Sequence, residues 1–241
     1  MRVDVTSAAT RPGMIAIRPP EYFPRLEYAA LMMAADRFVL ADTFQYSRQS
    51  FQNRTKVRNP QGWHWVSVPL KGRQHGRPIC NVEIRQVAGW RKKHWKAFAF
   101  NYAATPFFAY YEAAFAPLFR PAWTNLADLT CATVLLLHDL LGVPATMIRA
   151  STLAAPASDL RGLYDQMEEK ALLVPVASAA YDAQAAVPLK VLRYEHPVYR
   201  QPFEGFEPGM SAFDLLFSYG PEAASILKEG TRVEAYTPPP D

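Results

Sequence analysis

Apolar residues occur along the chain in short runs whose spacing switches between strand-like and helix-like. Met14 to Ile17 is an apolar run stopped by Pro19 and Pro20, the pattern of a buried strand entering a loop. After Tyr22-Phe23-Pro24, the residues Leu26, Ala29, Ala30 and Met33 recur at helical spacing through Ala35. Arg37 to Ala41 then reads as a second buried strand ending at Asp42. Residues 14–42 therefore predict a strand, helix, strand unit with parallel strands.

A polar and aromatic loop is expected from Asp42 to Asn59. Trp63 to Leu70 alternates in the strand manner, and Ile79 to Ile84 offers another short strand beyond a mobile connection at Gly72 to Gly76. Residues 90–102 and 107–118 read as helices broken by Pro106, and 123–141 has the strongest helical pattern, stopped by Gly142. A strand at Ala145 to Arg149, a helix from Ser158 to Lys170, strands near Leu172–Val176 and Leu189–Arg193, and a helix at Ser211–Ser218 follow. This order predicts an α/β fold, a mainly parallel sheet flanked by helices, in a single domain spanning residues 14–230. Residues 1–13 read as a disordered N-terminal extension, with Met14 an alternative start, and residues 231–241 as an extended C-terminal tail.

Composition narrows the function classes. The 241 residues are half hydrophobic, enough for a substantial core without a disulfide or metal staple. A formal charge of +4 suits an anionic small-molecule partner and is too weak to argue for nucleic acid. Cys80 and Cys131 are far apart and have no ligand-spaced partner, which fits a reducing, cytoplasmic compartment. The run from Leu129 to Leu141 is too short for a bilayer and carries His138 and Asp139, so no membrane insertion is expected. The first dozen residues hold Arg2, Asp4 and Arg11 and lack the apolar segment of a signal peptide.

Three groups of residues then form an ordered pattern. The first is Arg18-Pro19-Pro20-Glu21-Tyr22-Phe23-Pro24, followed by Asp42-Thr43-Phe44-Gln45-Tyr46 and Asn53-Arg54-Thr55-Lys56. The second is Trp90-Arg91-Lys92-Lys93-His94 with Asn101-Tyr102 and Pro106-Phe107-Phe108. The third is Tyr194-Glu195-His196-Pro197-Val198-Tyr199 with Ser211-Ala212-Phe213-Asp214-Leu215-Leu216-Phe217. In this order, across about residues 14–230, the chain resembles the WbqC-like protein family. Two departures stand out: the family's opening His-Gln is Arg18-Pro19 here, and its late glycine-containing turn is Val174 to Ala180 without glycine. The resemblance implies work on sugars or their activated carriers in surface polysaccharide assembly, and it names no settled reaction.

In parallel sheets, ligands sit beyond the carboxyl ends of the strands. Two loops leave such ends, and they carry Arg18, Tyr22, Asp42, Gln45, Tyr46, Asn53, Arg54 and Lys56, a mix of anion binders, hydrogen-bonding groups and one carboxylate. Arg91, Lys92, Lys93, His94 and Lys96 form a second cluster, which is either a phosphate-binding helix start or a solvated charged face. Lys93 and His94 fall on positions matched by the resemblance. His196 is either a proton donor or a packed imidazole. Metal-ligand spacings, nucleophile elbows and phosphate loops are absent, so no metal site is expected and no cofactor is specified.

The leading expectation is a transferase-type enzyme acting on an activated sugar or similar anionic small molecule. Asp42 or His94 would act as general acid or base, Arg54, Lys56 and Lys93 would bind negative charge, and Tyr22, Asn53 and Tyr102 would orient the ligand. The alternative is a non-catalytic binding or scaffold protein. The oligomeric state is not legible.

Overall fold

The computed structural model describes residues 13–120 and 122–238. Most of the expected N-terminal extension lies outside the described residues. Strand β1 (Met14–Arg18) and helix α1 (Leu26–Ala34) lead into β2 (Arg37–Leu40), and the two strands pair in parallel with Ile15 opposite Arg37. The sequence of the sheet is β5-β2-β1-β6-β7-β8, where β5 is Thr146–Arg149, β6 is Ala171–Pro175, β7 is Leu189–Tyr194 and β8 is Thr231–Ala235. All neighbours are parallel except β7 and β8, so the sheet is mainly parallel as expected.

Numbered by their order within this sheet, the strands run 3-2-1-4-5-6, the order in which doubly wound sheets reverse direction between their first and fourth strands. The reversal here falls between β1 and β6. Alternation along the strands explains the two faces. Ala16, Phe38, Leu40, Leu173 and Leu192 point into the larger core, which holds α1, α2 (Trp90–Tyr102), α3 (Phe108–Phe115), α4 (Leu126–Leu140), α7 (Ala212–Tyr219) and α8 (Ala223–Glu229). Ile15, Ile17, Val39, Leu172 and Val174 point the other way, against α5 (Leu160–Asp165) and α6 (Ala179–Asp182). Both faces of the central strands are covered, which is why they read as continuous apolar runs.

Several elements differ from the expectation. The loop from Asp42 ends early, because Arg54–Asn59 is a strand, β3, paired antiparallel with β4 (Gly62–Ser67). Ile79 to Ile84 is not a strand. Its start is a 3-10 turn at Ile79–Asn81, because its backbone bonds to the loop after β2 and to α4: Ile79 N–H reaches Phe44 O at 2.9 Å and Val82 O accepts from Leu126 N–H at 2.9 Å. Helix α4 starts later than expected, where Asn125 Oδ1 accepts from the N–H groups of Ala127 and Asp128 and so satisfies two otherwise unpaired donors. Helix α5 covers only half of its expected span, since Glu168 takes a left-handed conformation (φ 54°) as the chain turns into β6. Helix α8 was not expected, and the first residues of the expected tail form β8, an edge strand exposed along Arg232 to Ala235. No helix among the described residues is long and apolar enough to cross a membrane.

The loop after β1 is held in an unusual conformation. Phe23 has φ 49°, a region that disfavours residues with a Cβ. Its N–H donates to Thr133 Oγ1 at 3.0 Å and its carbonyl accepts from Thr55 Oγ1 at 3.1 Å. Its ring sits 4.8–6.0 Å by centroid from those of Tyr22, Phe98, Phe115, Phe119 and Phe213. Aromatic packing thereby fixes the entry to α1 and the direction of Glu21 and Arg25 beside it.

Candidate functional site

Beyond the carboxyl end of β1 lies a cavity of about 300 Å³ whose wall includes Arg18, Glu21, Arg25, Tyr28, Phe51 and Gln52. Arg18 is the last residue of β1, beside the reversal of strand order. Its Nη2 donates to Ser178 Oγ at 2.7 Å and to Asp182 Oδ2 at 2.6 Å, across the gap to the segment after β6. Its Nε is buried without a hydrogen-bond partner among the described residues. The same holds for the hydroxyl of Tyr28, which reaches the wall from the first turn of α1 and is 5% exposed. Burial beside the Glu21 carboxylate pushes that phenol well above its ordinary range, so it stays a proton-bearing donor.

Arg25 is anchored on this wall in two ways. Its Nη2 pairs with Glu21 Oε1 at 2.7 Å, and its guanidinium lies 4.3 Å from the centroid of Phe51. Two guanidinium groups, one phenol and one carboxylate thus converge on one small space. Two of the donors have no internal acceptor, an expensive arrangement for buried polar atoms and one that an anionic ligand would relieve.

The residues expected from sequence fall into several places. Arg18 lines this cavity. Arg54 stands at its rim, since its Nε donates to Ser50 O at 3.2 Å and Ser50 is on the wall. Lys56 lies further along the same face of the hairpin, 4.1 Å over the ring of Trp63. Tyr46 and Asn53 bond to each other at 3.1 Å and line a different hollow with Arg48 and Lys71, while Gln45 is exposed. Tyr22 is buried beneath the loop, and its hydroxyl meets His94 Nδ1 at 2.9 Å.

Asp42, Arg54, Lys93 and His94 do not line one cavity. Asp42 is fully buried, and its oxygens accept from Arg149 Nε at 2.6 Å, Ser151 Oγ at 2.6 Å and Ser151 N–H at 2.9 Å, tying the ends of β2 and β5 together. His94 faces the core from α2. Its Nε2 must donate to Ser67 O at 3.2 Å, so its Nδ1 accepts from Tyr22, and burial lowers its pKa to about 4. Lys93 is exposed. Its neighbours Arg91 and Lys92 line a separate hollow of about 430 Å³ with Trp95 and Arg120. Tyr102 is in the core, where it donates to Asp214 Oδ1 at 2.8 Å and accepts from Arg58 N–H at 3.1 Å. His196 is half-buried, and its Nε2 accepts from Gly209 N–H at 3.0 Å. Among the described residues, no group of His, Cys, Asp and Glu is arranged to hold a metal ion.

Glu21, Arg25, Tyr28 and Phe51 line the cavity without standing out in the sequence as site residues. A signal existed for two of them: Glu21 and Arg25 stand at i, i+4 at the start of the first predicted helix.

Fold and cavity together define a doubly wound α/β protein with a pocket lined by Arg18, Glu21, Arg25 and Tyr28 where its first strand ends. The chain belongs to the WbqC-like protein family, whose model matches residues 19–226. It is also similar to Rv1507c of Mycobacterium tuberculosis, described as an uncharacterized protein, with 28% identity over 226 residues covering 89% of this chain and 97% of that one. No solved structure matches.

Proposed function

We propose that the protein is a transferase-type enzyme acting on an activated sugar or other anionic small molecule, and that the anionic group docks in the cavity at the end of β1. The observation that carries this reading is that Arg18, Arg25 and Tyr28 line one cavity, with Tyr28 Oη and Arg18 Nε enclosed just behind its surface without hydrogen-bond partners. An oxyanion would sit between the two guanidinium groups, and a small shift of the Tyr28 and Arg18 side chains would let it accept from both enclosed donors. The sugar class is carried over from what the family resemblance implies. Glu21 is the carboxylate on the wall, and in this reading it takes the proton from an acceptor hydroxyl.

A second reading is a non-catalytic binding or scaffold protein using the same cavity. It is favoured by the engagement of Glu21, Asp42 and His94. Glu21 already accepts from Arg25 through both oxygens, and Asp42 and His94 are enclosed.

Tyr28→Phe tests the docking. Removing an unpartnered buried hydroxyl should stabilise the unliganded protein by up to about 1 kcal/mol. The same change should reduce the rise in melting temperature produced by inorganic pyrophosphate, because bound ligand stabilises by mass action. A destabilised variant that keeps the full pyrophosphate shift would contradict the assignment. Phosphate release from sugar 1-phosphates supplied with a hydroxyl acceptor separates the two readings: in an enzyme the acceptor oxygen bonds the sugar carbon as the phosphate leaves, Glu21 takes the acceptor proton and Glu21→Gln releases none, whereas binding without release supports the scaffold.

A further inference from the structure

The strip of hairpin next to the cavity alternates rings and cations. Phe51 and Trp65 have centroids 5.2 Å apart, and Trp65 and Trp63 are 5.3 Å apart. Arg25 covers Phe51, Arg54 lies 4.0 Å over Trp65, and Lys56 lies 4.1 Å over Trp63. Strand register explains the pattern. Lys56 is opposite Trp65, Arg54 is opposite Ser67, and period-two alternation puts Arg54, Lys56, Trp63 and Trp65 on one face. The rings and the two strand cations are half-buried.

Arg54 decides what this strip can hold. Its Nε donates to Ser50 O and its Nη2 to Gln49 O, so two edges of the guanidinium are spent on loop carbonyls. One flat face is covered by Trp65. Arg54 forms no ion pair with a carboxylate among the described residues. A guanidinium with edges fixed in this way is a poor fork for an oxyanion. Its remaining flat face is weakly hydrated and stacks well on another planar π system.

Resting on the reading that the neighbouring cavity takes an anionic group, we propose that Arg54 and Trp65 form a stacking platform for a heteroaromatic ring, so that the ligand of this site is a nucleotide. Its phosphate enters the cavity of Arg18, Arg25 and Tyr28, and its base lies on the outer face of Arg54. Ser50 joins the two subsites, since its carbonyl holds Arg54 while the residue itself is on the cavity wall. The location agrees with the fold: the pocket is at the carboxyl end of β1, beside the strand-order reversal where doubly wound sheets receive mononucleotide units. The usual glycine-rich turn is replaced here by Pro19 and Pro20, so the phosphate is met by side chains instead of loop N–H groups.

Calorimetric titration of the full chain with uridine diphosphate, adenosine diphosphate and inorganic pyrophosphate tests the platform. Both nucleotides should bind at least tenfold more tightly than pyrophosphate. Arg54→Lys keeps the charge and loses the plane, and it should cut that advantage below threefold while leaving pyrophosphate affinity unchanged; Trp65→Leu should do the same. Nucleotides that bind no tighter than pyrophosphate, or an advantage that survives both variants, would overturn the platform and leave the anion cavity standing. Failure of all three compounds to bind would overturn both.

Discussion

Replacing Arg58 with leucine is expected to cost about 4 kcal/mol of folding stability or more, read as a fall in the urea midpoint. Arg58 lies on the same face of β3 as Arg54 and Lys56, yet it is 1% exposed because the 201–205 loop closes over this end of the hairpin. Its guanidinium is enclosed by acceptors: Gln201 Oε1 at 2.9 Å, Asn59 O at 2.9 Å, Gly62 O, and the carbonyls of Phe203, Glu204 and Gly205 at 3.3, 2.9 and 3.2 Å. Leucine would fill part of the volume and leave these buried acceptors without donors, and an unmet buried acceptor costs more than a made bond contributes. Arg54→Leu, at a half-exposed position, should cost far less. A loss below about 1 kcal/mol for Arg58→Leu would mean that the loop lifts away and rehydrates, so the side chain would not be its clamp.

The second large effect is a pair of opposed titrations. His94 has its pKa lowered from 6.5 to about 4 by burial, so the folded state favours the neutral ring. The stability this contributes is complete above pH 6.5 and is lost as pH falls through 4, a change of about 3 kcal/mol. Asp214 moves the other way. Burial pushes its carboxyl up to about 6 against the help of the Tyr199, Tyr102 and Arg58 groups around it. Its contribution is complete below 3.8 and is lost as pH rises through 6, again about 3 kcal/mol. Wild type should therefore show little net change between pH 7 and 4 from these two groups. Relative to wild type, His94→Gln should gain about 3 kcal/mol over that descent and Asp214→Asn should lose a similar amount. Denaturant melts at both pH values measure the differences. A constant offset for His94→Gln would show that the imidazole titrates normally and is not enclosed as described.

Local apolar spacing made the sheet legible where strands are buried on both faces. Met14 to Ile17 and Arg37 to Ala41 are such strands, and the loops leaving them lie at the carboxyl edge of the sheet. It was not informative for β3, where only Thr55 and Val57 are buried on the inward face and the other face carries Arg54 and Lys56 resting on tryptophans of β4 beside the enclosed Arg58. Ile79, Val82 and Ile84 carried enough apolar character to mimic a strand, but all three are buried by a turn whose backbone partners come from distant segments. Similar reasoning applies to the site. His94 stood out by its basic neighbours, whereas the spacing of Trp90, His94, Phe98 and Tyr102 marks the buried stripe of α2, and that stripe governs. Asp42 looked like a free loop carboxylate because Arg149 and Ser151, which occupy it, lie more than a hundred residues away. Arg25 and Tyr28 drew no notice because a helix start explained them. Only the fold shows that they meet Arg18 around a common space.

The anion cavity is tested most directly by anomalous diffraction from crystals of the full chain grown with tungstate, a heavy analogue of phosphate. A tungsten peak is expected at the end of β1, with its oxygens about 3 Å from Tyr28 Oη and Arg18 Nε. A peak only in the basic hollow of Arg91, Lys92 and Arg120, with Tyr28 and Arg18 untouched, would contradict it.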